Sequence, residues 1–333
     1  MVLIYLFSFL LSLALTWYLT PRMANAAMRM GIVDTPDDRL KTHEKVTPYL
    51  GGLAIYIPFI LTLGITFSFD RIELFALLLS STIILTLGLI DDIGAISPGI
   101  KLLGQAIAVF VLIKGGVHIK LIFLPNWVSI TLTFLWLIGI TNAVNIIDIK
   151  DGLAGGVIFI VSVYLFIISV IGGDELVGIF TITFAGAMLG FLRFNWSPAI
   201  IYLGDAGSMF LGFLIGALAM IASYTQHNNI SALAPIILLG VPIFDTLLVT
   251  IARLRKRMSP FRGSPDHFAH RLMKAGWSLD GVLLAAYTIT AILGGVVLYV
   301  RSLTNIWLAT GIVCSVFFVG TVLLFALARI KMD

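Results

Sequence analysis

The chain has 333 residues and a net charge of +4, is 59% hydrophobic, and places charged residues at only 11% of its positions. Soluble domains carry charge on roughly a quarter of their residues, so with a mean hydropathy of +1.07 a bilayer is the only credible solvent for this surface. The single cysteine, Cys314, falls in the last apolar stretch, which excludes an internal disulfide. Nothing in the chain calls for nucleic acid.

A spanning helix needs ~20 apolar residues. That ruler finds eleven candidates, centred near Leu11, Phe59, Leu79, Val109, Thr131, Ile160, Phe184, Leu214, Ile243, Ala291 and Phe317. The fourth, between Ile100 and Gly116, is short. The expected fold is all-α: one polytopic domain over residues 1–333 with about eleven transmembrane helices. Residues 1–20 lack a basic n-region and a small-residue cleavage site, and so read as a retained first span rather than a signal peptide. With the N-terminus outside and the C-terminus inside, the inward segments hold all of the 21 basic residues except Arg71, Lys114, Lys120 and Arg301. The polar loops then expected on the cytoplasmic side are about 21–48, 91–99, 141–152, 193–205 and 253–280.

Four polar clusters, taken in chain order, fall on that side. Asp91 and Asp92 end the third span at the negative pole of a helix dipole, where carboxylates are disfavoured, so a cation should offset them; Lys101 is the nearest in sequence. After the fifth span comes the run from Thr141 to Gly156, with Asn142, Asn145, Asp148 and Asp151. Oxygen ligands at short spacing followed by small residues suit a hard cation carrying phosphates. Capping of the sixth helix would explain Asp151 alone. The third cluster runs from Asn195 to Ser208, where a Gly-Asp-x-Gly-Ser turn puts Asp205 at the start of the eighth span. Three residues earlier, Tyr202 is placed either to stack on a nucleobase or to sit in the interfacial aromatic belt. The fourth, Ser259 to Leu272, carries His267 and His270 beside arginines, without the cysteine partner or His-Glu-x-x-His pattern of a zinc site. His118 and His227, on the outer side, read as ordinary loop residues, and Asp245, inside span nine, as structural and buried against a basic residue.

In this order the clusters resemble the polyprenyl-phosphate N-acetylhexosamine-1-phosphate transferases, from about Asp34 to Gly276. The likeness rests on the Asp-Asp pair, Asn-Ala-x-Asn-x-x-Asp-x-x-Asp-Gly-Leu, the Gly-Asp-x-Gly-Ser turn, and Pro-x-x-Asp at Pro242 to Asp245. Lys41-Thr42-His43, Thr47 to Gly52, and Asp266 to Leu272 are similar to the GlcNAc-1-phosphate branch rather than the lipid I-forming translocases. Two departures stand out: Ala269 occupies the middle position of the usual His-x-His-His, and Ile149-Lys150 stand where Gly-x is usual.

The resemblance implies transfer of GlcNAc-1-phosphate from UDP-GlcNAc to undecaprenyl or another polyprenyl phosphate, giving polyprenyl-diphospho-GlcNAc and UMP. Such a step opens synthesis of a surface glycan such as O-antigen or teichoic acid. It implies Mg²⁺, with Mn²⁺ as a substitute, held by Asp205 and Asn145. Asp91, Asp92, Asp148, Lys101, His267 and His270 would carry the chemistry. Asn142, Asp151, Asn195, Tyr202, Lys45, His43 and Arg271 would bind substrate. Membrane lipid is the surrounding partner and a homodimer the candidate assembly. The competing reading is a transporter or flippase of a phosphorylated lipid, which would place ionisable groups near the bilayer midplane in repeated halves. A CDP-alcohol phosphotransferase would need an Asp-Gly-x-x-Ala-Arg run that this chain lacks.

Overall fold

The computed structural model describes residues 1–34, 46–67, 71–94, 96–120, 124–257, 265–330 and 332. His43 and Lys45, assigned to substrate above, lie outside the described residues, as do Lys41 and Thr42.

The described chain is almost wholly helical. The long helices are α1 (Val2–Met30), α2 (Gly51–Thr66), α3 (Ile72–Gly94), α4 (Pro98–Lys114), α5 (Asn126–Ile147), α6 (Leu153–Gly172), α7 (Glu175–Asn195) and α8 (Gly204–Ile221). The short α9 (Ala234–Leu238) leads into α10 (Gly240–Arg255), followed by α11 (Phe268–Lys274), α12 (Leu279–Ser302) and α13 (Ile306–Ala328). Two short strands, β1 (Val33–Asp34) and β2 (Thr47–Pro48), pair antiparallel beside the start of α2.

Helices stand at each of the eleven expected positions, yet among the described residues eight are long and apolar enough to cross a membrane. Residues 229–255 make a ninth if the bent pair there, broken by 67°, is one span. The other two, α2 with 16 residues and α4 with 17, are shorter. Both are packed against neighbours, α2 against α1, α7 and α8 and α4 against α3 and α5.

Helix α8 is the hub, buried along most of its length and flanked by α2, α3 and α5. Apolar burial drives little helix association in lipid, where tails are as apolar as leucine, so close backbone approach has to supply the contact. Small residues provide it. A Cβ on Gly186 or Gly190 of α7 would sit 2.3 Å from the Phe9 carbonyl oxygen or 2.7 Å from that of Leu13, so α1 lies directly on α7. The buried hydroxyls of Ser8 and Thr20 return their protons to carbonyls one turn back, at 2.7 Å each, which removes the penalty of an unpaired polar group in hydrocarbon.

The same device fixes the site end of the bundle. A Cβ on Gly88 of α3 would lie 2.5 Å from the backbone of Ala206, and one on Gly52 of α2 would lie 2.5 Å from Gly207 N. Gly88→Leu is therefore expected to prevent assembly, because the obstacle is backbone rather than a yielding side chain. Gly64→Leu, with nothing within 4 Å of its Cβ position, should be tolerated. Fluorescence-detected size exclusion separates the two: a lost monodisperse peak for the first and a retained one for the second.

Candidate active site

One helical turn beyond Gly88, Asp92 reaches across to the start of α8. Its Oδ1 accepts from Asp205 N at 2.7 Å and its Oδ2 from Ala206 N at 3.0 Å. Those are orphan amides at the positive pole of a helix, so the carboxylate misplaced at the end of α3 is compensated by the start of α8. Gly204 turns the chain there with φ +72°, and any side chain on it would strike Asp92 Oδ2, 2.7 Å from its Cβ position.

Asp91 meets the Asp205 side chain rather than its backbone. Lys101 Nζ, on the first turn of α4, lies 2.8 Å from Asp91 Oδ2 and 2.9 Å from Asp205 Oδ2. The cation demanded by the acidic pair is thus Lys101, and Asp205 shares it. Asp91 Oδ1 also accepts from Ile96 N at 2.8 Å. Asn145, one turn from the end of α5, donates to Asp205 Oδ1 at 2.5 Å and to Ser208 Oγ at 2.8 Å. Three sequence-distant clusters therefore converge on Asp205, whose side chain stays 35% exposed.

The turn between α5 and α6 forms a second wall. Burial pushes the Asp148 carboxyl up to about 8, and Asp205, Asp92 and Asp151 add to the rise. Asp151 does not cap α6, whose N-cap is Gly152; its Oδ2 accepts from Ala199 N at 3.0 Å and ties this turn to the 196–203 loop. Asn195 is buried, and its carboxamide joins the same two segments, accepting from Gly152 N at 3.1 Å and donating to Ile201 O at 3.0 Å. Tyr202 is half-buried and hydrogen-bonded to Thr47, and burial raises its hydroxyl above the ordinary value. Its ring lies 6.2 Å from that of Tyr49. Burial also raises Tyr49, with Asp34 beside it and Asp92 and Asp205 within electrostatic range.

The third wall is α11 with the first half of α10. Asp245, fully buried, accepts from Phe268 N at 2.7 Å and holds His267 Nδ1 at 2.8 Å. The expected basic partner is thus a histidine of the fourth cluster, with Arg253 and Arg271 within electrostatic range, and the His267 Nε2 edge is left to point elsewhere. The His270 ring stands edge-on to His267 at 5.8 Å. Burial, then nearby Lys150 and His267, hold His270 below the usual imidazole value, which favours its neutral form. Lys150, on the 148–152 turn where the sequence departs from the usual Gly-x, is within electrostatic range of this wall.

Two expected substrate residues are engaged elsewhere. Asn142 lies one turn deeper than Asn145 and pairs with Gln105 across α4 and α5, donating to Gln105 Oε1 at 2.7 Å and to Ile138 O at 2.8 Å. Arg271 is 3% exposed, and its guanidinium is committed to Asp266 and to carbonyls at the end of α13. The sequence reading passed over Tyr49, Ser208 and the orienting role of Asp245. The signal available for Asp245 was its place in the Pro-x-x-Asp motif, a carboxylate inside an apolar helix.

Among the described residues no group of three or more His, Cys, Asp or Glu is arranged to hold a metal ion. The donor chemistry nevertheless fits a hard cation. Asp91, Asp92 and Asp205 supply carboxylate oxygens, Asn145 an amide oxygen, and a lysine ammonium already bridges two of the carboxylates.

The raised Asp148 carboxyl makes stability depend on pH. In an unfolded chain this carboxyl ionises near pH 4, whereas the fold keeps its proton to about pH 8. Between those values the folded state binds more protons, so stability falls as pH rises from about 4 to 8 and levels off above. Metal-free protein in detergent should show a thermal midpoint that declines over this window, and Asp148→Asn should flatten the decline. An unchanged slope in the variant would contradict the assignment.

A model of glycosyl transferase family 4 matches residues 74–223, from α3 through α8, the stretch that carries Asp91, Asp92, Asn145 and Asp205. The chain is 33% identical over 314 residues to a probable undecaprenyl-phosphate N-acetylglucosaminyl 1-phosphate transferase of Bacillus subtilis, covering 92% of this chain and 87% of that one. It is 32% identical to the decaprenyl-phosphate N-acetylglucosaminephosphotransferase of Mycolicibacterium smegmatis, covering 82% and 76%. A phospho-N-acetylmuramoyl-pentapeptide-transferase of Acetivibrio thermocellus is 31% identical, covering 87% and 93%.

Proposed function

The chain belongs to glycosyl transferase family 4, and we propose that it transfers GlcNAc-1-phosphate from UDP-GlcNAc to a polyprenyl phosphate, releasing UMP. The observation that carries this reading is the convergence of Asp91, Asp92, Lys101, Asn145 and Asp205 at one end of a membrane bundle. Relatives named for undecaprenyl- and decaprenyl-phosphate GlcNAc-1-phosphate transfer support the donor and the acceptor class.

An oxygen of the lipid phosphate attacks the sugar-linked phosphorus of the donor. The bond from that phosphorus to the bridging oxygen breaks, and UMP departs with the electron pair. Both reactants are anions, so the site must neutralise charge and align them in line. Mg²⁺, held by Asp205 and Asn145 when bound, would neutralise the diphosphate and the departing UMP. Lys101 is the cation that would meet the incoming lipid phosphate, and Asp91 and Asp92 organise it. Tyr202 would stack on the uracil with Asp151 at its edge. His267 and His270 would face the sugar phosphate, His267 oriented by Asp245.

The finer topology belongs to the same proposal: eleven crossings, N-terminus outside and the site cytoplasmic. Its support is that the ends of α3, α5 and α7 and the starts of α4, α6 and α8 meet around the site, while most basic residues lie in the connecting segments. The product would enter assembly of a surface glycan.

Purified protein supplied with undecaprenyl phosphate, Mg²⁺ and a panel of UDP-sugars tests this. UMP release with UDP-GlcNAc above UDP-GalNAc is the expected result. Release only with another UDP-N-acetylhexosamine would overturn the donor, and silence with all of them would overturn the reading.

A further inference from the structure

We infer that the end of α13 belongs to the frame that aims His267 and His270, with Arg271 as the positioning residue that couples them to it. The inference rests on the reading that these histidines face the sugar phosphate.

Helix α11 has seven residues, too few to hold itself in shape without tertiary contacts. It is fixed at both ends. At its start, Asp245 of α10 binds His267 Nδ1 and Phe268 N. At its far side, Arg271 Nη2 meets Asp266 Oδ1 at 2.9 Å, and Nε donates to the Asp266 carbonyl at 2.9 Å. Arg271 Nη1 donates to Leu327 O at 3.1 Å and also to Ile330 O. The Leu327 carbonyl, which also accepts from Ile330 N at 3.0 Å, lies in the last turn of α13, and the Ile330 carbonyl lies just past its end, where a cation is favoured.

A second cation completes the junction. Lys256, which ends α10, places Nζ 2.9 Å from Asp266 Oδ1, 3.1 Å from Oδ2 and 3.2 Å from Met332 O. Asp266 is fully buried, so Lys256 and Arg271, with Arg253 within electrostatic range, are needed to offset its desolvation. The ends of α10 and α13 and the start of α11 thus share one ion cluster, immediately beside the two histidines. Along the rest of its length α13 is mostly exposed to its surroundings; its buried residues are Ala309, Val313 and Leu324. Its firm polar attachment is at this end. The Arg271 guanidinium serves four acceptors at once, one carboxylate oxygen and three carbonyls, one more than the three donors of an ammonium can reach.

The test is a cycle: wild type, Arg271→Gln, the pair His267→Ala/His270→Ala, and all three changes together, with Arg271→Lys as a milder variant should Arg271→Gln fold poorly. Arg271→Gln should lower kcat/KM for the UDP-sugar by about 10- to 100-fold and leave the KM for polyprenyl phosphate unchanged. Arg271→Lys should fall between it and wild type. In the background lacking both histidines, the arginine change should cost less than about 2-fold, because the groups it positions are gone. A cost undiminished in that background, or wild-type kinetics in Arg271→Gln, would overturn the proposal. Hydrogen exchange read by mass spectrometry supplies a readout free of activity: amides of 268–274 and of 324–330 should lose protection together in Arg271→Gln, and protection kept in α11 would overturn the coupling. Wild type that releases no UMP with any donor, while exchange responds as expected, would overturn the function and leave the coupling standing.

Discussion

Asp205→Asn is expected to lower UMP release by about 10³-fold or more while leaving the bundle folded. The asparagine keeps an oxygen for the Lys101 ammonium, which now lies 2.9 Å from Asp205 Oδ2, but removes the charge on which three clusters converge. The fold should survive because the first amides of α8 are satisfied by Asp92 rather than by Asp205 itself. A coupled assay for UMP, run beside a thermal midpoint, checks both halves. Retention of more than a tenth of the activity would remove Asp205 from the centre of the mechanism.

Lys101→Met should damage stability and activity together. It strips the shared cation from Asp91 and Asp205, which lie 2.8 and 2.9 Å from its ammonium. Removing one partner of a buried ion pair costs about 3–5 kcal/mol. The lysine side chain is 17% exposed and Asp205 35%, so solvent screening puts the expected loss at the low end, about 3 kcal/mol. Adding Asp91→Asn to Lys101→Met relieves the uncompensated carboxylate, so the double variant should regain much of the lost thermal midpoint. Activity should not return, because no cation then meets the lipid phosphate. A double variant no more stable than the single one would show that the lysine acts through packing alone.

The sequence announced the membrane bundle because span length and apolar composition are set by bilayer thickness. It also announced the acid pair and its counterion, since carboxylates at a helix C-terminus need compensation and Lys101 was close at hand. What stayed hidden was long-range geometry. That Asp92 caps α8 depends on Gly88 lying against Ala206, a contact between segments more than a hundred residues apart. Asn142 and Asn145 looked alike in a motif, yet one helical turn separates a residue paired with Gln105 from one bonded to Asp205. Arg271 sits beside a histidine motif and reads as a phosphate ligand, whereas it is held by Asp266 nearby and by carbonyls at the end of α13, more than fifty residues away. Residues between β1 and β2, His43 and Lys45 among them, lie outside the described structure.

The most direct test of the central claim is to follow phosphorus. UDP-GlcNAc labelled with ³²P at the sugar-linked phosphate, incubated with the protein, Mg²⁺ and undecaprenyl phosphate, should deliver its label to the lipid fraction and leave the released UMP unlabelled. Label retained in UDP while unlabelled sugar reaches the lipid would show transfer of the sugar without its phosphate, and would contradict the account.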